Sequence, residues 1–217
     1  MMKFLTNFMK KREKSFFELA LKAEALLLGD FTLKSGRKCP YFFNISSFFE
    51  SGFINQLSNL YANLIEEENI KFDVIFGPAY KGIPLAAAVA TIVSERTSSL
   101  ISISFDRKEE KNHGEGGKIV GSVEGKKVLI LDDVLTAGTA LNQSIELVRA
   151  MGGEVVSSMV ALDREELIEG VLARDLIGKK TNSKLLSIAT ISKLVDFFHQ
   201  TEKTEEAQLI EDYLSKQ

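Results

Sequence analysis

VLILDDVLTAGTALNQ, residues 128–143, runs four apolar residues straight into two adjacent aspartates, then into a small hydroxyl-rich turn and the first turns of a helix. Two neighbouring acids at the end of a buried strand are costly to keep ionised unless something nearby wants negative charge or hydrogen-bond acceptors. The turn after Asp132 and Asp133 supplies the Thr136 and Thr139 hydroxyls, and Gly138 is free to adopt positive φ. Backbone N–H groups exposed at a helix N-terminus favour an anion, and a phosphate monoester suits such a nest. The two carboxylates would repel that phosphate if they touched it. They are better suited to accept hydrogen bonds from sugar hydroxyls or to sit near a divalent cation. Acid pair and anion nest together point to a phosphorylated ribose; the bland alternative is a solvated turn with Asp as a helix cap. Neither GxGxxG nor GxxxxGK[ST] spacing occurs here, which disfavours dinucleotide and Walker modes of phosphate binding.

On either side the periods alternate. INQLSNLYANLIEEE (54–68), IPLAAAVATIVSE (83–95) and TALNQSIELVRAM (139–151) have helical spacing, while FDVIFGP (72–78), LISISFD (100–106) and EVVSSMVAL (154–162) read as strands. KLLSIA (184–189) reads as one more strand, ISKLVDFFHQ (191–200) as a helix behind Thr190, and EEAQLIEDYLSK (205–216) as a last amphipathic helix. The N-terminal segment predicts an amphipathic helix continuing through FELALKAEALLLGD (17–30), with Gly29 ending it. Strands alternating with helices imply an α/β fold with a mainly parallel central sheet covered on both faces. No repeat, linker or composition break divides the chain, so one domain with terminal additions is expected.

Bulk properties exclude several classes. The 217 residues are 45% hydrophobic and 26% charged, with a net charge of -3, which gives no reason to expect nucleic-acid or membrane-surface binding. One cysteine, Cys39, excludes an internal disulfide framework and fits a reducing cytoplasm; its simplest role is a small packed residue beside Pro40. The N-terminus makes a poor signal peptide, and no run approaches the roughly 18 apolar residues of a membrane helix.

In a parallel sheet, ligands gather at the carboxyl ends of strands. That rule marks Gly77 to Gly82, Asp106 onward, Asp132 to Thr139, and Asp163–Arg164. FGPAYKGIP (76–84) repeats the strand–turn–helix plan and places Lys81 where its ammonium could reach a phosphate, although a plain surface loop would read the same way. FDRKEEKNHGEGGKIVG (105–121) gathers Arg107, Lys108, Lys111 and His113 in a glycine-rich segment too polar for a core. Segments of this kind are lids or solvated loops. A cationic lid suits a substrate whose leaving group gains charge. His199, in a helical segment, is given no role.

VLILDDVLTAGTA resembles the phosphoribosyl-pyrophosphate-binding motif of type I phosphoribosyltransferases. FTLKSGRKCPYFFN (31–44), FGPAYKGIPLA, RKEEKNHGEGG and LDREE (162–166), in that order, resemble the orotate phosphoribosyltransferase family along most of the chain. The residues before about Lys10 depart from the pattern, and the length leaves no room for the decarboxylase domain fused to this activity in some organisms.

The resemblance implies a fold with a small N-terminal hood, about residues 1–50 plus C-terminal segments, a core over about 53–165, and a lid over 107–121. It implies that Asp132 and Asp133 bind the ribose hydroxyls, and that Val134, Leu135, Thr136, Ala137, Gly138, Thr139 and Ala140 wrap the 5′-phosphate. Tyr80 and Lys81 match the pyrophosphate loop, which in the family often holds a non-proline cis peptide. Lys34 matches a lysine approaching the pyrophosphate and base. Phe42 and Phe43 match the pair lining the orotate pocket, with Arg164 and the Thr136 region at the charged and carbonyl edges of the base. YFFN also reads as a buried strand. Lys111, His113 and Lys34 are the catalytic candidates. By the same resemblance Arg107, Lys111 and His113 reach the active site of a partner subunit while Lys108 serves its own, which implies a homodimer. Mg2+ is the implied cofactor, held mainly through substrate and water rather than by protein ligands. Two other readings stay open: a phosphoribosyltransferase for another base, and a non-catalytic regulator using the fold as a ligand sensor.

Overall fold

Consecutive apolar residues on a strand point to opposite faces, so a run apolar at every position needs a cover on both. A computed structural model describes residues 9–32, 36–111 and 117–216, and in it the run 128–131 lies inside such a sandwich. In chain order the elements are α1 (Lys11–Lys22), β1 (Leu26–Thr32), β2 (Lys38–Phe43), α2 (Ser46–Glu50), α3 (Ile54–Glu67), β3 (Val74–Phe76) and α4 (Gly82–Thr97). There follow β4 (Ser102–Lys111), β5 (Gly117–Val120), β6 (Lys127–Leu135), α5 (Thr139–Ala150), β7 (Glu154–Asp163), β8 (Leu167–Ile168) and β9 (Val171–Leu172). The chain closes with α6 (Ala173–Thr181), β10 (Lys184–Thr190), α7 (Ile191–Gln200) and α8 (Thr204–Leu214).

The central sheet has the order β10-β7-β6-β3-β4-β5. All its pairs are parallel except β4 with β5. On one face Leu129 and Leu131 of β6 pack with Ile75, Met159, Ala161 and Ile188 beneath residues of α1, α3, α4, α7 and α8. On the other, Val128 and Ile130 join Val74, Phe76 and Val160 beneath Leu141, Ile145 and Val148 of α5 and Ile177 of α6. The expected α/β fold with a mainly parallel sheet flanked by helices is therefore present. No described helix is long and apolar enough to cross a membrane.

Two expectations need correction. The first helix does not run to Gly29: it ends at Lys22, and Leu26–Thr32 is a strand paired antiparallel with β2. The stop is a Schellman-type closure, in which Ala25 N–H donates to the Ala20 carbonyl and Glu24 N–H to that of Leu21. Glu24, at φ 53°, takes the left-handed position that glycine usually fills. The second correction concerns 107–121, whose outer parts are not loop. β4 runs on to Lys111 and pairs with β5, so the cationic residues Arg107, Lys108 and Lys111 lie on a strand. His113 lies outside the described residues.

The turn from β3 to α4 depends on close backbone approach. A Cβ on Gly77 would lie 2.1 Å from the Gly82 carbonyl oxygen, a backbone atom that cannot rotate aside. Gly77→Ala should lower the unfolding free energy by about 3 kcal/mol in urea titrations, the upper range for an overpacked site. A loss under about 1 kcal/mol would mean that this turn is not tightly packed.

Candidate active site

β3, β4, β6 and β7 are neighbours in the sheet, so parallel pairing brings their carboxyl ends to one edge. A cleft of about 340 Å³ opens there, lined by Pro78 to Lys81, Asp106, Asp132 to Val134, Thr136, Ala140 and residues of α5 including Gln143 and Ser144. Three of the four strand ends marked in the sequence thus share one cavity. The fourth sits beside it: Arg164 N–H donates to the Leu135 carbonyl at 3.1 Å, which ties the end of β7 to the turn after β6.

The acid pair is held from several directions. Lys81 Nζ is 3.3 Å from Asp133 Oδ2. The Tyr61 hydroxyl, fully buried on α3, donates to the Asp132 carbonyl at 2.7 Å. Asp106 accepts the Ala79 N–H, which joins β4, just past its pairing with β3, to the loop after β3, where the Ala79–Tyr80 peptide is cis. Gly138, at φ 75°, is the N-cap of α5, and no side chain caps that helix. Its first N–H groups are therefore open to an anion. Burial, and after it the neighbouring Asp133 charge, pushes the Asp132 carboxyl up to about 7, with Lys81 opposing the shift.

Tyr80 is 72% exposed beside Lys81, well placed to meet a ligand. Leu135 is buried, while Thr136, Thr139 and Ala140 reach the surface. Phe42 and Phe43 do not form one wall. They are consecutive on β2 and face opposite ways: Phe42 is 43% exposed and stacks on Phe31 at 5.5 Å, whereas the Phe43 ring packs against Phe16 and Phe48. The aromatic pair presented outward is Phe31 with Phe42, and Phe43 has only main-chain atoms to offer. Arg164 is buried under the N-terminal hairpin, its Cζ 5.0 Å from the Tyr41 ring centre, not on the cleft lining. Lys34 and His113 lie outside the described residues, as do the side chains of Lys108 and Lys111. Sequence reasoning marked Asp106 only as a strand end, without its bond to Ala79, and missed Tyr61 and Phe31, of which Phe31 opens the motif FTLKSGRKCPYFFN.

Residues 50–191 match the family of phosphoribosyl transferase domains. The chain is 44% identical over 217 residues to orotate phosphoribosyltransferase 2 of Saccharomyces cerevisiae, covering 96% of each protein. It is 45% identical over 193 residues to the orotate phosphoribosyltransferase of Stenotrophomonas maltophilia, covering 87% of this chain and 88% of that one. Among solved structures, the orotate phosphoribosyltransferase of Francisella tularensis superposes with a TM-score of 0.81 at 34% identity, covering 93% of this chain and 98% of that one.

The raised Asp132 carboxyl has a stability consequence. The folded protein binds this proton more tightly than the unfolded chain, so ionisation costs stability; the cost is absent below about pH 4, grows as pH rises, and is complete above about pH 7. Asp132→Asn should therefore raise Tm at pH 8 by about 3 °C, corresponding to about 1 kcal/mol, with no gain at pH 4. Equal effects at both pH values in thermal melts would contradict the assignment.

Proposed function

The chain belongs to the orotate phosphoribosyltransferase family, and on that premise we propose that it transfers the 5-phosphoribosyl group of phosphoribosyl pyrophosphate to orotate. The products are orotidine 5′-monophosphate and pyrophosphate, a step in pyrimidine (UMP) biosynthesis. The observation that carries the reading is the meeting, in one cleft, of the Asp132–Asp133 pair, the uncapped start of α5 and Lys81. Acids suit a diol, open N–H groups a phosphate monoester, and a lysine a pyrophosphate.

Asp132 and Asp133 accept hydrogen bonds from the ribose hydroxyls, and residues 134–140 wrap the 5′-phosphate. Lys81 leaves Asp133 for the pyrophosphate, with Tyr80 beside it. The planar base stacks on Phe42, backed by Phe31, while Thr136, Arg164 and the main chain at Phe43 recognise its edges. As C1–O cleavage proceeds, positive charge develops on the ribose, and orotate N1 attacks the opposite face, as in other glycosyl transfers. No protein nucleophile is required; catalysis comes from positioning and from cations facing the leaving group.

The lid residues Arg107, Lys108, Lys111 and His113, with Lys34, supply those cations. We read the lid as shared across a homodimer, Lys108 serving its own site. The N-terminal hairpin with α8 acts as the hood, and the compartment as the cytoplasm. Among the described residues no three Asp, Glu, His or Cys side chains converge on a metal position. Asp132 and Asp133 nevertheless offer carboxylate oxygens, which fits an ion such as Mg2+ that keeps most of its ligands from substrate and water. When bound, it supplies charge neutralisation on the pyrophosphate.

Pyrophosphate release, measured with phosphoribosyl pyrophosphate, magnesium and each of orotate, uracil, adenine, guanine and hypoxanthine, tests the assignment. Turnover with orotate at least about a hundredfold above the other bases is expected, since a site built to hydrogen-bond its substrate can reject an analogue lacking the group by about ten-thousandfold or more. Turnover only with another base would reassign the acceptor, and none with any base would favour a ligand sensor.

A further inference from the structure

The main chain at Arg164 is fixed on every side. Its N–H is bound to Leu135, Asp163 is paired with Arg174 at 3.0 Å, and Glu165 accepts the Ser192 N–H at the start of α7 at 2.8 Å. Only the direction of the Arg164 side chain is left to be set. Glu166 lies against it: Oε1 is 3.1 Å from Arg164 Nε, and Oε2 is 3.0 Å from Arg37 Nη2. One carboxylate therefore takes a guanidinium on each oxygen. Tyr41 provides a ring under Arg164, Tyr213 of α8 provides one under Arg37 at 5.4 Å, and the two tyrosines meet edge to face at 5.9 Å. Arg164 Nη2 also reaches Cys39 Sγ at 3.4 Å.

The cluster carries two positive charges and one negative. Among the described residues Arg37 Nε and Arg164 Nε are buried without an aligned hydrogen bond, the Arg164–Glu166 contact being an ion pair, and the Tyr41 and Tyr213 hydroxyls, set against the Arg164 guanidinium, have no acceptor for their own protons. Every one of these groups is a donor. Buried unsatisfied donors are costly, and an acceptor-rich anion brought against the cluster is the chemistry that relieves them.

We propose that Glu166 is the positioning residue of Arg164: by dividing its carboxylate between Arg37 and Arg164 it aims the Arg164 guanidinium toward the acceptor base. Affinity for a planar anionic base then depends on a residue outside the cleft lining and, through the Tyr213–Arg37 contact, on the C-terminal helix. The proposal rests on the reading above in which Arg164 faces orotate. Without the carboxylate the two guanidiniums repel each other, and a glutamine can accept from only one of them while presenting its own donors to the other.

Steady-state kinetics of Glu166→Gln, Arg164→Ala and the double variant test it. Glu166→Gln should raise KM for orotate about tenfold while kcat and KM for phosphoribosyl pyrophosphate stay within about twofold, and Glu166→Asp, which keeps the charge, should recover part of the loss. In the Arg164→Ala background Glu166→Gln should add less than about twofold, since it acts through the arginine. If Arg164→Ala leaves KM for orotate unchanged, the acceptor reading itself falls and the positioning role with it. If Arg164→Ala raises it and Glu166→Gln does not, the positioning role alone is overturned. A Glu166→Gln effect spread over both substrates, or persisting in full without Arg164, would make the glutamate merely structural and would also overturn it.

Discussion

Two carboxylates on consecutive residues at the end of a buried strand form the constraint around which the site is organised. β6 is covered on both faces up to Leu131, so Asp132 emerges from a low-dielectric interior and its proton is held unusually tightly. The surroundings are arranged to tolerate this: Tyr61 fixes the Asp132 main chain, Lys81 neutralises Asp133, and the uncapped first turn of α5 opens on the same cleft. The arrangement is complementary to a ligand whose hydroxyls and phosphate are separated by a sugar ring.

Parallel pairing converts that local feature into a site. The loops after β3 and β6 meet beside Asp106 of β4 because the three strands lie side by side in the same direction, and Arg164 is drawn beside them by its bond to Leu135. Asp106 of β4 on Ala79 and Glu165 on Ser192 of α7 tie the loops after β3 and β7 to neighbouring elements, bracing the edge of the sheet. A reaction that proceeds by dissociation of a leaving group needs this kind of frame, since its barrier is lowered by held geometry and fixed charge.

The β6–α5 unit was legible because every local signal agreed: an apolar run, an acid pair, hydroxyls and a glycine that takes positive φ. Strands β3, β4, β7 and β10 and helices α3, α4, α7 and α8 followed from their periods, whereas β5, inside a polar glycine-rich segment, did not. Local chemistry misled where a residue of unfavoured type took a special position, as Glu24 does in ending α1 with no glycine to announce it. Phe42 and Phe43 looked like a pair, but the two-residue period of a strand sends their rings to opposite faces. Leu167–Thr181 showed no clear period, yet it supplies the Arg174 that anchors Asp163. Tyr61 was invisible for another reason: its contact spans 71 residues, and its hydroxyl meets only a main-chain atom. Asp106 was marked only by its place at the end of an apolar run, and Glu166 carried no signal of its own, since a single acid gains meaning only from the groups it joins.

Calorimetric binding of ribose 5-phosphate and 2-deoxyribose 5-phosphate to the native protein and to Asp133→Asn tests most directly whether the acid pair grips the sugar. The account predicts that loss of the hydroxyl weakens binding to the native protein about tenfold, or roughly 1.4 kcal/mol, and makes little further difference in the variant. Equal affinity of the native protein for both sugars would contradict it.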